Sequence, residues 1–187
     1  MTKNQLMTTC EFELREFEGE NKLPKLVGYA LKFDQPSRDM GFVEYLDRDC
    51  LNGADMSNTV ALINHDNNLV LGKVGRNMTL TVDEIGLKFE IEPLDIGYVR
   101  DLISNMRAGL IDKCSFAFSV ESDVWEEVEL NVWERHIKQI KELYDVSIVT
   151  NPAYLNTEAV VANRGLAEAK SMKRQREIEV MKLKHSI

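Results

Sequence analysis

At 187 residues, the chain is long enough to bury roughly two thirds of the surface that it would expose when unfolded. Its net charge of −8 is acidic, and because an acidic body repels nucleic acid, we expect no nucleic-acid partner. The three cysteines are far apart and show no CxxC or Cys/His ligand spacing, so they argue against a disulfide framework and a metal site and indicate a reducing, intracellular setting.

The start of the chain lacks the apolar stretch of a signal peptide, and no apolar run approaches the roughly 18 residues that a membrane span needs. We therefore expect a soluble protein with no membrane partner. Charge is distributed unevenly, since residues 164–187 carry seven basic and three acidic side chains, a net +4, and residues 1–163 carry −12. We expect residues 1–163 to form one domain. Residues 164–187 would be a charged helical tail that is solvated, docks on a partner or is removed.

The first half of the chain has the short alternating or apolar runs that are typical of β-strands. Strands are predicted over residues 11–18, 27–33, 42–46, 59–64, 69–74, 78–82 and 87–91. The polar residues 66–68 predict a turn immediately after His65, and residues 83–86 predict the turn of a hairpin.

The period then changes to that of a helix. Apolar residues recur at helical spacing at Val99, Leu102, Ile103 and Met106. Asp95 is the predicted N-cap and Gly109 the predicted stop. Further strands are predicted over residues 114–120, 133–140 and 143–149, and residues beyond 164 have a helix-forming, highly charged composition.

Two residues on separate predicted strands suggest chemistry. His65 ends an apolar strand, and Ser115 lies in a strand where alternation places it with Ala117 and Ser119 on a small-residue face. A serine hydroxyl needs a base before it can attack an amide at neutral pH, and a histidine supplies one. We expect this small face to be open to a substrate. A strand-end histidine is otherwise often a simple turn residue, and a strand serine is usually structural.

A third residue would have to hold the imidazole in one tautomer and stabilise its protonated form. Asp145 is the first candidate because it interrupts an apolar strand, where a carboxylate normally needs a partner. Glu142, Asp66 and His136 are its rivals. Cys114 is a competing nucleophile, although alternation directs its thiol into the core.

Five blocks in this order resemble the tailed-phage prohead maturation proteases, which are related to the herpesvirus assembly proteases. They are LINHD at 62–66, LGK at 71–73, EIGLKF at 84–89, GLIDKCSFAF at 109–118 and LYDVSIVTNPAY at 143–154. The resemblance extends over about residues 27–161, which is most of the chain.

The resemblance implies an α+β fold, with a small antiparallel β-barrel of the herpesvirus-protease type flanked by helices and followed by the charged C-terminal helix. It implies a serine endopeptidase without a cofactor that cleaves the scaffolding region of the capsid protein and then itself. The setting would be the procapsid in the cytoplasm of the bacterial host, and the enzyme would also contact itself in a homo-oligomer.

His65 matches the histidine base of that family and Ser115 its nucleophile, and Asp145 occupies the place of the third member, where the related viral enzymes use a second histidine. The turn around residues 150–151 is a candidate for the oxyanion donors. Three alternatives stay open: a catalytically silent assembly factor with the same fold, a cysteine hydrolase that uses Cys114 with His65, and a generic serine esterase. The last has no GxSxG motif to support it.

Overall fold

A computed structural model of the chain describes residues 4–8, 13–15, 23–37, 39–150 and 155–184. The described residues form ten strands and two helices. In chain order these are β1 (Asn4–Thr8), β2 (Glu13–Arg15), β3 (Lys25–Lys32), β4 (Val43–Leu46), β5 (Val60–Ile63), β6 (Asp66–Lys73), β7 (Met78–Val82), β8 (Gly86–Ile91), α1 (Gly97–Arg107), β9 (Lys113–Glu129), β10 (Val132–Val149) and α2 (Leu155–Lys184).

The strands make two sheets. The first has the order β1-β9-β10-β5-β6, with β4 also paired to β10, and the second has the order β2-β3-β8-β7. Strands β4 and β5 pair in parallel with the two ends of β10, at residues 134–137 and 145–148, while the other pairings of both sheets are antiparallel. Neither described helix combines the length and the apolar sequence needed to cross a bilayer.

The expected α+β composition is confirmed, but the described strands do not close into the expected antiparallel barrel. Among the described residues, the edge strands are β1, β4 and β6 in one sheet and β2 and β7 in the other. No described strand pairing joins the two sheets, so the ring of hydrogen bonds that defines a closed barrel is absent. Two parallel pairings to β10 also make the larger sheet mixed.

One hydrophobic core lies between the sheets and α1. The central strands supply Leu26 and Leu31 from β3, on either side of a register shift, and Phe89 and Ile91 from β8, all with 0% of their surface exposed. Helix α1 contributes its apolar face to the same core. The buried residues of that face are Val99, Leu102 and Ile103. This core supports the strand pair β9–β10, on which the candidate site is built.

Several elements of the structure have bounds that differ from the predicted ones. Of the strand predicted over residues 11–18, the structure describes residues 13–15, which form β2, while residues 11–12 and 16–18 lie outside the described part. The two strands predicted at 133–140 and 143–149 are one continuous strand, β10, because local register shifts absorb its irregularities. Gly109 ends α1 as predicted, with φ of +69°. Asp95 does not cap it, since Ile96 is the N-cap and Asp95 pairs with Arg100.

The outer half of β9–β10 packs against the C-terminal helix. We call the contact the outer cluster. It consists of Phe42, Trp133 and Leu166, with Met40, Trp125 and Ala169 at its edge. Gly165 lets α2 approach closely, because a Cβ there would lie 3.2 Å from the Trp125 ring. From Lys170 to Leu183 the helix is exposed.

Candidate active site

The histidine lies in a two-residue turn between β5 and β6. Ile63 pairs with Asp66, so Asn64 and His65 alone make the connection, with φ of +51° and +57°. Positive φ at both central residues defines a type I′ turn, which favours asparagine and glycine and is unusual for histidine. The turn predicted at residues 66–68 is therefore wrong, because the polar residues that suggested it begin β6.

Asn64 ties this turn to the end of β10. Its backbone N–H donates to the Ile148 carbonyl at 3.0 Å, and its side-chain oxygen accepts the Thr150 N–H at 3.1 Å. The Thr150 N–H is therefore already bonded, which removes it from the candidate oxyanion donors in this structure. Asn151 lies outside the described residues.

Strand register brings the other site residues together. Ser115 of β9 is the direct partner of Ser147 of β10, and Ala117 is the partner of Asp145. Because side chains of one strand alternate between faces, Asp145 and Ser147 share the face of β10 beside Ser115.

The imidazole of His65 connects the two strands. Its Nε2 lies 2.8 Å from Ser115 Oγ, and its Nδ1 lies 2.6 Å from Asp145 Oδ1. Asp145 is 1% exposed, and a carboxylate this deeply buried requires hydrogen-bond partners. The three residues singled out from the sequence therefore form one contiguous chain of hydrogen bonds.

The rivals for the third position lie elsewhere. Asp66 is exposed and accepts the backbone N–H of Asn68, while His136 stacks on Tyr45 in the outer half of β10. Glu142 faces β9 at Ser119 rather than at Ser115. Of these carboxylates and imidazoles, only Asp145 contacts the His65 ring.

The expected open face of the nucleophile strand is wrong. Ser115 and Ala117 are both 0% exposed, and Cys114 on the opposite face is 1% exposed. The β9 segment is covered on both sides, because one face packs in the core and the other lies under the His65 turn.

Sequence reasoning missed Ser147. Its Oγ donates to Asp145 Oδ1 at 2.8 Å and lies 3.1 Å from His65 Nδ1 and 3.3 Å from the His65 backbone N. The available signal was its spacing, since a residue two positions after Asp145 must share its face.

A hydroxyl bonded to an imidazole that is bonded in turn to a buried carboxylate is the arrangement that defines serine hydrolases on unrelated folds. Within the described residues, no three His, Cys, Asp or Glu side chains come close enough together to hold a metal ion.

Comparison with known proteins gives the family. The model of the caudovirus prohead serine proteases matches residues 10–172. The match covers most of the chain, so the chain belongs to this family and is a serine protease of phage capsid maturation. The solved capsid assembly protease of bacteriophage T4 is similar over 80% of this chain and 99% of its own, with 14% identity and a TM-score of 0.47. No curated protein matches the chain.

Proposed function

We propose that this chain is the endopeptidase of phage capsid maturation in which Ser115 is the nucleophile, His65 the general base and Asp145 the residue that orients and stabilises the imidazole. The observation that carries the proposal is the continuous path Ser115 Oγ–His65–Asp145, with contacts of 2.8 and 2.6 Å. These distances are those of working nucleophile–base and base–carboxylate pairs.

The hydrogen bonds assign the protons of the resting site. A Ser115 hydroxyl that donates to Nε2 requires the neutral imidazole to carry its proton on Nδ1. That N–H points at Asp145 Oδ1, 2.6 Å away. The carboxylate therefore selects the tautomer in which Nε2 is free to accept a proton.

The first chemical step follows from this arrangement. Ser115 Oγ attacks the carbonyl carbon of the scissile peptide while its proton moves to His65 Nε2, which gives a tetrahedral oxyanion and an imidazolium. The imidazolium then protonates the leaving amine as the C–N bond breaks, and an ester of Ser115 remains. Water, deprotonated by the same nitrogen, hydrolyses the ester and restores the serine.

Asp145 stabilises the intermediate electrostatically. When His65 becomes positively charged, a carboxylate at 2.6 Å in a buried site compensates the charge more strongly than it would in water. It also prevents the ring from rotating away from Ser115. The side chain of His65 is 11% exposed and that of Asp145 is 1% exposed, so little water competes for these bonds.

Burial of the nucleophile adds a requirement. Because Ser115 is 0% exposed, a substrate carbonyl reaches Oγ only after neighbouring parts of the chain move. Motion of loops that opens or closes a site is a common controlling step in enzymes.

We propose that the substrates are the scaffolding region of the capsid protein and this chain itself, cleaved inside the procapsid in the host cytoplasm. Membership of the prohead protease family supports this assignment. The net charge of +4 on residues 164–187 supports a role for this tail in docking or as a segment removed by self-cleavage.

Co-expression with the capsid protein encoded beside it tests the proposal. Wild type is compared with His65→Ala and Ser115→Ala, and Ser119→Ala serves as the matched control because it alters a buried serine of the same strand. Intact masses are expected to show shortened capsid protein with wild type and Ser119→Ala only. Equal masses in all four, with shells still forming, would favour a silent assembly factor.

A further inference from the structure

We infer that Ser147 is a positioning residue of the protease site, whose hydroxyl holds both the carboxylate and the backbone of the histidine in register. The inference rests on the proposed roles of His65, Ser115 and Asp145. It goes beyond them because a buried hydroxyl beside the three residues is given a defined part in the reaction.

The contacts of Ser147 leave one consistent assignment of its proton. Asp145 Oδ1 and the Ser147 hydroxyl are 2.8 Å apart, and an ionised carboxylate only accepts, so Ser147 donates. The lone pairs of Ser147 Oγ then face the backbone N–H of His65 at 3.3 Å and Nδ1 at 3.1 Å. One hydroxyl thus bridges the carboxylate and the histidine.

The bond that Ser147 Oγ accepts from the His65 backbone N–H explains how an unusual turn is held. His65 has φ of +57°, a conformation that costs free energy for a residue other than glycine. Its N–H bond to Ser147, together with the Asn64 N–H bond to the Ile148 carbonyl, fixes the turn to β10 at two adjacent points. The imidazole is therefore positioned from its main chain as well as from its ring.

Burial makes these bonds effective. Ser147 is 0% exposed and is the direct strand partner of Ser115. If a substitution removes its hydroxyl and the neighbouring residues do not rearrange, no water takes the place of the hydroxyl. Loss of one of the two bonds to Asp145 Oδ1 and a loosened turn would both displace Nε2 from the nucleophile. A misplaced base slows the chemical step without changing substrate affinity in proportion.

The test compares Ser147→Thr with Ser147→Val, which have nearly the same shape but differ in the hydroxyl, and includes Ser147→Ala in case both larger residues disturb the fold. Two readouts are used: the rate at which a small alkyl fluorophosphonate labels Ser115, followed by intact mass, and the far-downfield proton resonance of His65 Nδ1–H. Thermal unfolding monitors the fold.

We expect Ser147→Ala and Ser147→Val to be labelled about 10- to 100-fold more slowly than wild type and to lose or shift the Nδ1–H resonance. Ser147→Thr should recover most of both. Labelling of Ser147→Ala at the wild-type rate, or equal impairment of folded Thr and Val variants, would overturn the inference while leaving Ser115 as the nucleophile. If Ser115→Ala or His65→Ala is labelled at the wild-type rate, the proposed function and this inference are both overturned.

Discussion

The direction of the His65 side chain depends on the conformation of its backbone. A histidine at the end of β5 would follow the alternation of the strand, but in the type I′ turn with φ of +57° its ring reaches across to β9 and β10. The turn thus converts a strand-end residue into the link between Ser115 and Asp145. Asn64 and Ser147 hold the turn by bonds to β10 and to the backbone of His65.

Substitutions at Asn64 separate its two contributions. Asn64→Gly keeps easy access to positive φ but loses the side-chain bond to Thr150, whereas Asn64→Ala loses both. We expect a loss of about 1 kcal/mol in the free energy of unfolding for the glycine variant and about 2 kcal/mol for the alanine variant. Urea unfolding measures both losses, provided that the variants unfold with the same m value as the wild type. Equal losses would contradict the assigned turn.

Much of the site was accessible from residue patterns. His65, Ser115 and Asp145 were singled out from strand ends, alternation and the resemblance, and the structure places them in contact. Ser147 was not, because its one signal, the two-residue spacing from Asp145, does not show what it contacts until its neighbours across the sheet are known. The open face expected for Ser115 failed for the same reason, since what covers a strand is decided by non-local packing.

At the scale of elements, local pattern predicted the antiparallel part of the fold well. The bounds of β7 are as predicted, and β8 begins one residue earlier. The parallel pairing of β4 and β5 with β10 joins segments about 90 residues apart, and no local periodicity encodes it. The polar start of β6 was misread as a turn because it consists of aspartate and asparagine, which are residues that favour turns.

The outer half of the β9–β10 pair contains a buried ionic group. Arg135 binds Glu44 at 2.8 Å and Asp123 at 2.5 Å, and its guanidinium lies 5.4 Å from the centre of the Trp125 ring. Loss of hydration on burial raises the pKa of Glu44 to about 7, and the charge of Arg135 offsets this effect only in part.

This raised pKa predicts a pH dependence. Folding takes up a proton at Glu44 between its ordinary pKa of 4.5 and about 7. Its stabilising contribution is complete below 4.5 and is lost as the pH rises through 7. Relative to Glu44→Gln, the wild type should lose up to about 3 kcal/mol of unfolding free energy between acidic and slightly alkaline pH.

Urea unfolding of both proteins at several pH values measures this difference, and Glu126→Gln, an exposed carboxylate of the same strand pair, is the control. A constant difference between wild type and Glu44→Gln over the whole range would show that folding leaves the pKa of Glu44 unchanged, which would contradict the prediction.

For the whole molecule, the C-terminal helix divides into a packed and an exposed part. Leu166 is 7% exposed in the outer cluster, whereas most residues after it are exposed, including the apolar Met172, Met181 and Leu183. The sequence boundary at residue 163 falls inside α2, so cutting there removes a buried contact as well as the charged tail.

Two truncations therefore separate packing from docking. A chain ending at residue 175 keeps Leu166 and should unfold within about 0.5 kcal/mol of the full chain. A chain ending at residue 163 exposes Phe42 and Trp133 and should lose about 2–5 kcal/mol. If the shorter chain is as stable as the full one, the outer cluster does not anchor the helix.

The longer of the two truncated chains also tests whether the end of the tail is a docking segment. A chain ending at residue 175 retains a net +3 of the +4 on residues 164–187. Docking by charge therefore predicts that it still enters procapsids, whereas docking by the exposed apolar residues Met181 and Leu183 predicts that it enters poorly. Normal incorporation and normal processing of capsid protein by this chain would rule out docking by residues 176–187.

The most direct test of the proposed catalytic residues is to find which atom of the folded chain reacts with a fluorophosphonate. Peptide fragmentation after labelling distinguishes Cys114, Ser115 and Ser119, which lie within six residues of one another. We expect a single adduct on Ser115 in wild type and in Cys114→Ala, and none in His65→Ala. An adduct on Cys114, or equal labelling of Ser115 in His65→Ala, would rule out the proposed roles of Ser115 and His65.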